Sequence, residues 1–501
     1  MSTIDWLILA VYLAVVILMG AWFSRRQQTT EAFFLGGRSV PWWAVGLSFF
    51  GSSISTGTFL AFPGQGYGGT WVPHLSHLLF PIPNLLVAVW VVPYYRRKVK
   101  MSAYEFLQER FGYSTRFYAA AIYVLFNLFR NGMILFLMAK ALNAMMGWNP
   151  VAIVIVSGIL ALLYTMLGGL EAVIWTDVLQ SITLFGAGLF CLFFLAFSSD
   201  LGFFHLFEVA NTAGKFKLVD WSWNLSNPTL WVVIPYGFFV HTTMYTTSQD
   251  TAQRYLAAPS TRESQKALLW GGLIIVTTWT IFILIGSLLY AYYQIHPELL
   301  IPEIAAKETQ IFPYYVMKTL PSGVPGLVLA GMCAAAMSSL DTTINSLAMI
   351  SVRDFYLHFR PRVSDRQQLL LARFASCFWG ALGMGVGLLL LAGVEKAYYV
   401  GQTVNSFLGG GLLGLFLLGM FVQRAHTRGV WVGLSAGLLI SVWGGADKIL
   451  GIFYSSSEFI DKVRFPWHPW SILSLGNIAS FSLGWLASLI LPKARHRAPA
   501  P

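Results

Sequence analysis

Charge is what this sequence has least of. Asp, Glu, Lys and Arg make up 11% of its 501 residues, less than half the roughly 25% of a soluble domain. It has three cysteines, Cys191, Cys333 and Cys377, all inside apolar segments. They read as small packing residues rather than a disulfide or metal framework. No Cys/His metal spacing, glycine-rich phosphate loop or nucleophile motif stands out, which argues against an enzyme. Short alternating strands, the mark of a membrane barrel, are missing too. So is a basic leader. The first apolar stretch, Ile4 to Phe23, carries Asp5 near its start, Arg25 and Arg26 after it, and no small-residue cleavage site. It reads as a retained helix with its N-terminus outside.

What is abundant is apolar: 56% of the residues are hydrophobic. They fall in stretches of about 20, enough to cross the hydrocarbon as a helix. Backbone groups in lipid must bond internally, so these stretches should be helical. The expectation is an all-α integral membrane protein of about thirteen transmembrane helices in one transporter domain. Their cores are read as 4–23, 42–62, 74–95, 116–146, 150–167, 172–198, 230–250, 266–292, 323–350, 368–393, 399–422, 429–447 and 470–491.

The net charge of +11 follows topology rather than an acidic partner. Basic clusters at Arg25-Arg26, Arg96-Arg97-Lys98, Arg360/Arg362/Arg366, Arg424/Arg428 and Lys493–Arg497 all fall on one side if the N-terminus is outside. The C-terminus is then cytoplasmic. This pattern leaves no role for nucleic acid and requires no obligate protein partner. Short loops and the missing leader fit a bacterial inner membrane. Between Met101 and Phe111, Tyr104, Phe106, Leu107 and Phe111 alternate with polar residues, predicting a short amphipathic helix at the inner surface.

A transporter needs polar groups where they are expensive, in mid-membrane. The second span is interrupted by Gly51-Ser52-Ser53-Ile54-Ser55-Thr56-Gly57-Thr58, which predicts a broken helix. A small-residue packing face is the plainer reading. Arg130 lies 14 residues past Arg116, roughly 20 Å into the membrane. It calls for an anionic solute or an internal acidic partner. Gly168-Gly169 ends the fifth span, and Asp177 falls just inside the sixth. This Asp is a hard-cation ligand or a helix N-terminal charge. In the ninth span Ala335, Ser338, Ser339 and Thr342 share one face, with Asp341 and Asn345 beside it. Oxygen-only donors suit sodium. A proton path through Asp177 and Asp341 competes with that reading. The seventh span ends in a second polar interruption, His241 to Asp250. Paired interruptions point to inverted repeats, here about 42–198 and 230–422, with one helix before and two after.

Taken together, the motifs resemble the sodium–solute symporter family. They are Phe33–Arg38, Ser102–Leu107 with Arg110-Phe111-Gly112, Gly168-Gly169 with Thr176–Gln180, Gln249-Asp250 with Gln253-Arg254-Tyr255, and Ala334–Ser346. The resemblance implies a five-plus-five inverted-repeat core, alternating access and co-transported sodium. It implies a sodium site at Gly51, Ile54, Ala335, Ser338 and Ser339. A second would use Asp177, Ser338, Ser339, Asp341 and Thr342, with Asp341 standing where a hydroxyl is the family pattern. The stretches Ser53–Phe59 and Phe129–Met133 are most similar to the sialic acid branch. That implies a carboxylated sugar held by Arg130, Ser53, Ser55 and Thr58. His77 stands where that branch has glutamine, which leaves a neutral sugar, an amino acid or another carboxylate open. Outside transport, a membrane solute sensor is the alternative.

Overall fold

The computed structural model describes residues 1–24, 27, 29–197, 202–393, 410–453 and 464–492, with the side chains of Ser24 and 447–453 excepted. The basic pairs Arg25-Arg26 and Lys493–Arg497, and residues 399–409 of the expected span 399–422, lie outside the described residues. Within them every regular element is helical, as lipid demands of backbone amides.

Fourteen helices carry the architecture: α1 (Thr3–Ser24), α2 (Trp42–Ser53), α3 (Thr56–Gly68), α4 (Leu75–Lys98), α5 (Tyr113–Met146), α6 (Pro150–Phe197), α7 (Leu230–Thr247), α8 (Gln249–Ala257), α9 (Thr261–Ile295), α10 (Val324–Ile350), α11 (Asp365–Ala392), α12 (Leu412–Phe421), α13 (Thr427–Phe453) and α14 (Trp470–Ile490). Among the described residues nine helices are long and apolar enough to cross a membrane, and the bent pair α2–α3 makes a tenth span. The other expected spans correspond to the second half of α6, to α7 and to the described part of the 399–422 segment, α12.

Three local breaks shape the bundle. Ile54 and Ser55 are extended, and α2 and α3 meet at 63°. Ser248 is extended between α7 and α8, inside the predicted second interruption. Gly169 splits α6 with φ 57° and ψ −160°, a conformation costly for any other residue. A Cβ there would meet Phe33 O at 2.6 Å.

Depth follows from packing. The apolar window that begins with α10 is 94% buried inside the protein, against 22% for α1. α10 packs on α6, α1, α5 and α11, and α9 packs on α2 and α3. A helix that faces no lipid is free to carry polar side chains, and α10 carries Ser338, Ser339, Asp341, Thr342 and Asn345, all buried.

The predicted interfacial helix forms as Glu105–Phe111, but its apolar face does not lie on lipid. Tyr104, Phe106, Leu107 and Phe111 are buried, with Phe106 against Tyr94, Tyr95 and Phe416. An amphipathic pattern reports that a face is covered and not what covers it.

Candidate ion and solute site

The break between α2 and α3 frees backbone groups in mid-membrane, and α10 brings hydroxyls to meet them. Ser338 Oγ donates to Gly51 O at 2.9 Å and lies 3.2 Å from its own turn's Ala335 O. Ser339 Oγ reaches Ile54 O at 3.5 Å. Five uncharged oxygens from two elements therefore converge, all on buried residues. Two belong to carbonyls at the C-terminal end of α2, the negative end of its dipole. This set offers oxygen and nothing softer, a donor chemistry for a hard monovalent cation. Gly51 makes the approach possible. A Cβ there would stand 2.9 Å from Ser181 Oγ and 3.5 Å from Asp177 Cβ.

Solute-facing candidates gather on the same break. Arg130 is half-buried, and its Nη2 donates to Ser52 O at 3.2 Å. It pairs with no carboxylate among the described residues, so the internal ion pair weighed for it is not what the structure presents. Ser53 Oγ shares a 2.8 Å hydrogen bond with Tyr245 OH of α7. Ser55 and Thr58 meet each other: the Ser55 amide donates to Thr58 Oγ1 at 3.4 Å, closing the first turn of α3. His77 belongs to an aromatic wall. Its ring lies 4.5 Å from Trp279, 5.1 Å from Phe62 and 5.6 Å from His241. From His241 the wall runs through Phe80 to Tyr245, at 4.8 and 5.1 Å. His77 and Ser53 are thereby connected through ring contacts.

The sodium:solute symporter family matches residues 33–437. The chain belongs to this family. The sodium/sialic acid symporter NanT of Aliivibrio fischeri is 32% identical over 458 residues, 90% of each chain. SiaT of Proteus mirabilis, also a sodium/sialic acid symporter, is 31% identical over 454 residues, 90% of this chain and 91% of that one. A structure of a Na+-coupled sialic acid symporter in a substrate-bound outward-open state superposes with a TM-score of 0.90 at 28% identity, covering 99% of both chains. The protein is thus a multi-pass sodium-coupled symporter of a small solute.

The second ion-site candidates of this symporter are brought together differently. Asp177 accepts from Ser48 Oγ and from Arg254 Nη2, the latter at 3.0 Å, with Asp177 and Arg254 both almost wholly buried. The same guanidinium donates to Thr342 Oγ1 at 2.7 Å and to Ser48 Oγ at 2.8 Å. Two of the five candidate ligands therefore already hold a cation, a tethered one. Asp341 turns to α6, where Tyr164 OH donates to its Oδ2 at 2.7 Å and the Thr342 amide to its Oδ1. Ser338 and Ser339 remain on the α2 break.

Arg254 and Tyr245 are the residues that sequence reasoning missed as site members. Each lay inside a stretch already singled out, the second polar interruption and the Gln253-Arg254-Tyr255 motif. Part of the signal for Arg254 was available: a buried membrane arginine needs an acid, although nothing local names Asp177, 77 positions away, as that acid.

Proposed function

We infer that this symporter imports a carboxylated sugar such as sialic acid together with sodium. The observation that carries the reading is Arg130. A guanidinium half-buried in a membrane helix, fixed by Ser52 O and matched by no acid among the described residues, complements a solute carboxylate. Ser53 lies on the same break, where Tyr245 of α7 meets it, with Ser55, Thr58 and His77 as further contacts. Sodium is assigned to Gly51 O, Ile54 O, Ala335 O, Ser338 Oγ and Ser339 Oγ. Asp177, Ser338, Ser339, Asp341 and Thr342 would take a second ion only after Arg254 withdrew.

Coupling follows from adjacency. Gly51 and Ile54 offer carbonyls to the ion, while Ser52 and Ser53 hold the solute groups. An ion that fixes the end of α2 also fixes Arg130, so each ligand favours the conformation the other binds. The repeats 42–198 and 230–422 then rock about the two breaks. The reading places the protein in a bacterial inner membrane with its N-terminus outside and its C-terminus inside, on the Lys/Arg bias.

The test is thermal stability of the purified protein against sugars, sugar acids and amino acids, in sodium and in potassium. A ligand of the native state raises the melting temperature. A shift with sialic acid that needs sodium and vanishes in Arg130→Ala is the expected result. A shift with neutral sugars alone would discard the carboxylate reading.

A further inference from the structure

Beyond the solute path, the end of the molecule where α10 turns into α11 carries a second candidate for a ligand. After a widened turn at Ser351–Tyr356, the chain passes Arg360, Pro361 and Arg362 before Ser364 caps α11. A groove of about 700 Å³ opens here, lined among others by Tyr356, Phe359, Arg360, Arg362, Leu370 and Phe374. Its two guanidinium groups are exposed and pair with no carboxylate among the described residues. The acids nearest in sequence are engaged elsewhere: Asp354 by Arg116, Asp365 by the amide and hydroxyl of Thr30.

The apolar side of the groove continues as a track. Leu370, Phe374 and Phe378 recur every four residues on one face of α11 and are 58%, 71% and 50% exposed. On a membrane helix such a face meets acyl chains. Fixed positive charge at one end of an apolar strip matches one amphiphile: a phosphate head with a hydrocarbon tail. We propose that this groove binds an anionic phospholipid, its phosphate between Arg360 and Arg362 and one acyl chain along Leu370, Phe374 and Phe378. A solute carboxylate has no use for the strip, and a zwitterionic lipid would bring a cation to two cations.

Native mass spectrometry of the purified full chain, titrated with phosphatidylglycerol or phosphatidylcholine, tests the assignment. Wild type should retain phosphatidylglycerol in preference to phosphatidylcholine. R360Q/R362Q should lower phosphatidylglycerol retention about thirtyfold, while R424Q/R428Q, which removes two exposed arginines outside the groove, should keep it. L370S/F374S should weaken the lipid as well, whereas competition by inorganic phosphate should be slight. Melting temperature and sodium-driven uptake check that each variant is folded. Equal retention by R360Q/R362Q, equal retention of the two lipids, or full displacement by phosphate would each overturn the proposal.

Discussion

Ser338 has one hydroxyl and two neighbours that want it, Gly51 O at 2.9 Å and Ala335 O at 3.2 Å. In the absence of a cation the proton on that oxygen satisfies the carbonyls. A cation at the proposed site would take the lone pairs and turn the hydroxyl away. A residue of this kind costs the fold little and the ion much. Ser338→Ala combined with Ser339→Ala should therefore leave expression and melting close to wild type. It should raise the sodium concentration for half-maximal uptake by about tenfold or more, the scale of losing charge-assisted contacts. Uptake that saturates at the wild-type sodium concentration would remove these hydroxyls from the site. Arg254 is the opposite case. Its partners Asp177, Ser48 and Thr342 come from three other helices, so neutralising one side strands a buried charge, at about 3–5 kcal/mol. Arg254→Gln and Asp177→Asn should each lower the melting temperature sharply, and the double variant should recover much of the loss. Two independent, additive losses would show that the pair does not act as a unit.

At the scale of elements, the break in α2 depends on how closely that helix approaches α6. The contact is made where Gly51 meets Ser181, whose hydroxyl is fixed by a 2.8 Å bond to Leu47 O. Gly51→Ala would push α2 outward at the carbonyls proposed to hold the ion. Sodium activation should fall severalfold, and Gly51→Ala with Ser181→Ala, which removes the obstructing oxygen, should restore part of it. Sodium dependence unchanged in Gly51→Ala would mean the helix end absorbs the methyl without moving. Elements of this kind were legible in advance because each break is written locally. Glycines and hydroxyls mark residues 51–58, Gly168-Gly169 marks the split in α6, and a polar run marks the α7–α8 junction at Ser248. The polar face of α10 was legible for the same reason, since helical spacing declares it. The partners of that face were not. Arg254 reaches Asp177 across 77 positions of chain, and no local pattern encodes which of several polar helices a guanidinium will enter. The burial of Tyr104 and Phe106 escaped likewise, because an amphipathic segment looks the same against lipid and against α12.

For the whole molecule, transport requires each end of the solute path to open in turn, and the basic end is held by one knot of charge. Arg116 at the start of α5 donates to Asp354 Oδ1 at 2.7 Å, to Gln108 Oε1 at 2.8 Å and to Arg353 O at 2.9 Å. Ser102 Oγ adds 2.7 Å to the same carboxylate oxygen, and Arg353 reaches Glu105 at 3.5 Å. The knot ties the loop after α4, the 105–111 helix, α5 and the turn that follows α10. An opening at this end that parted these elements would break it, and its strength would then enter the equilibrium between the two access states. Sodium at the site proposed on the α2 break would hold α10 from the other side, and linkage then requires the two to act on one equilibrium. Arg116→Gln should therefore favour the state open at the basic end. Amide hydrogen exchange across residues 101–113 should quicken, sodium should slow it again, and the sodium concentration needed should exceed that of wild type. Exchange in this segment that matched wild type with and without sodium would show that the knot stabilises the fold and does not gate the path.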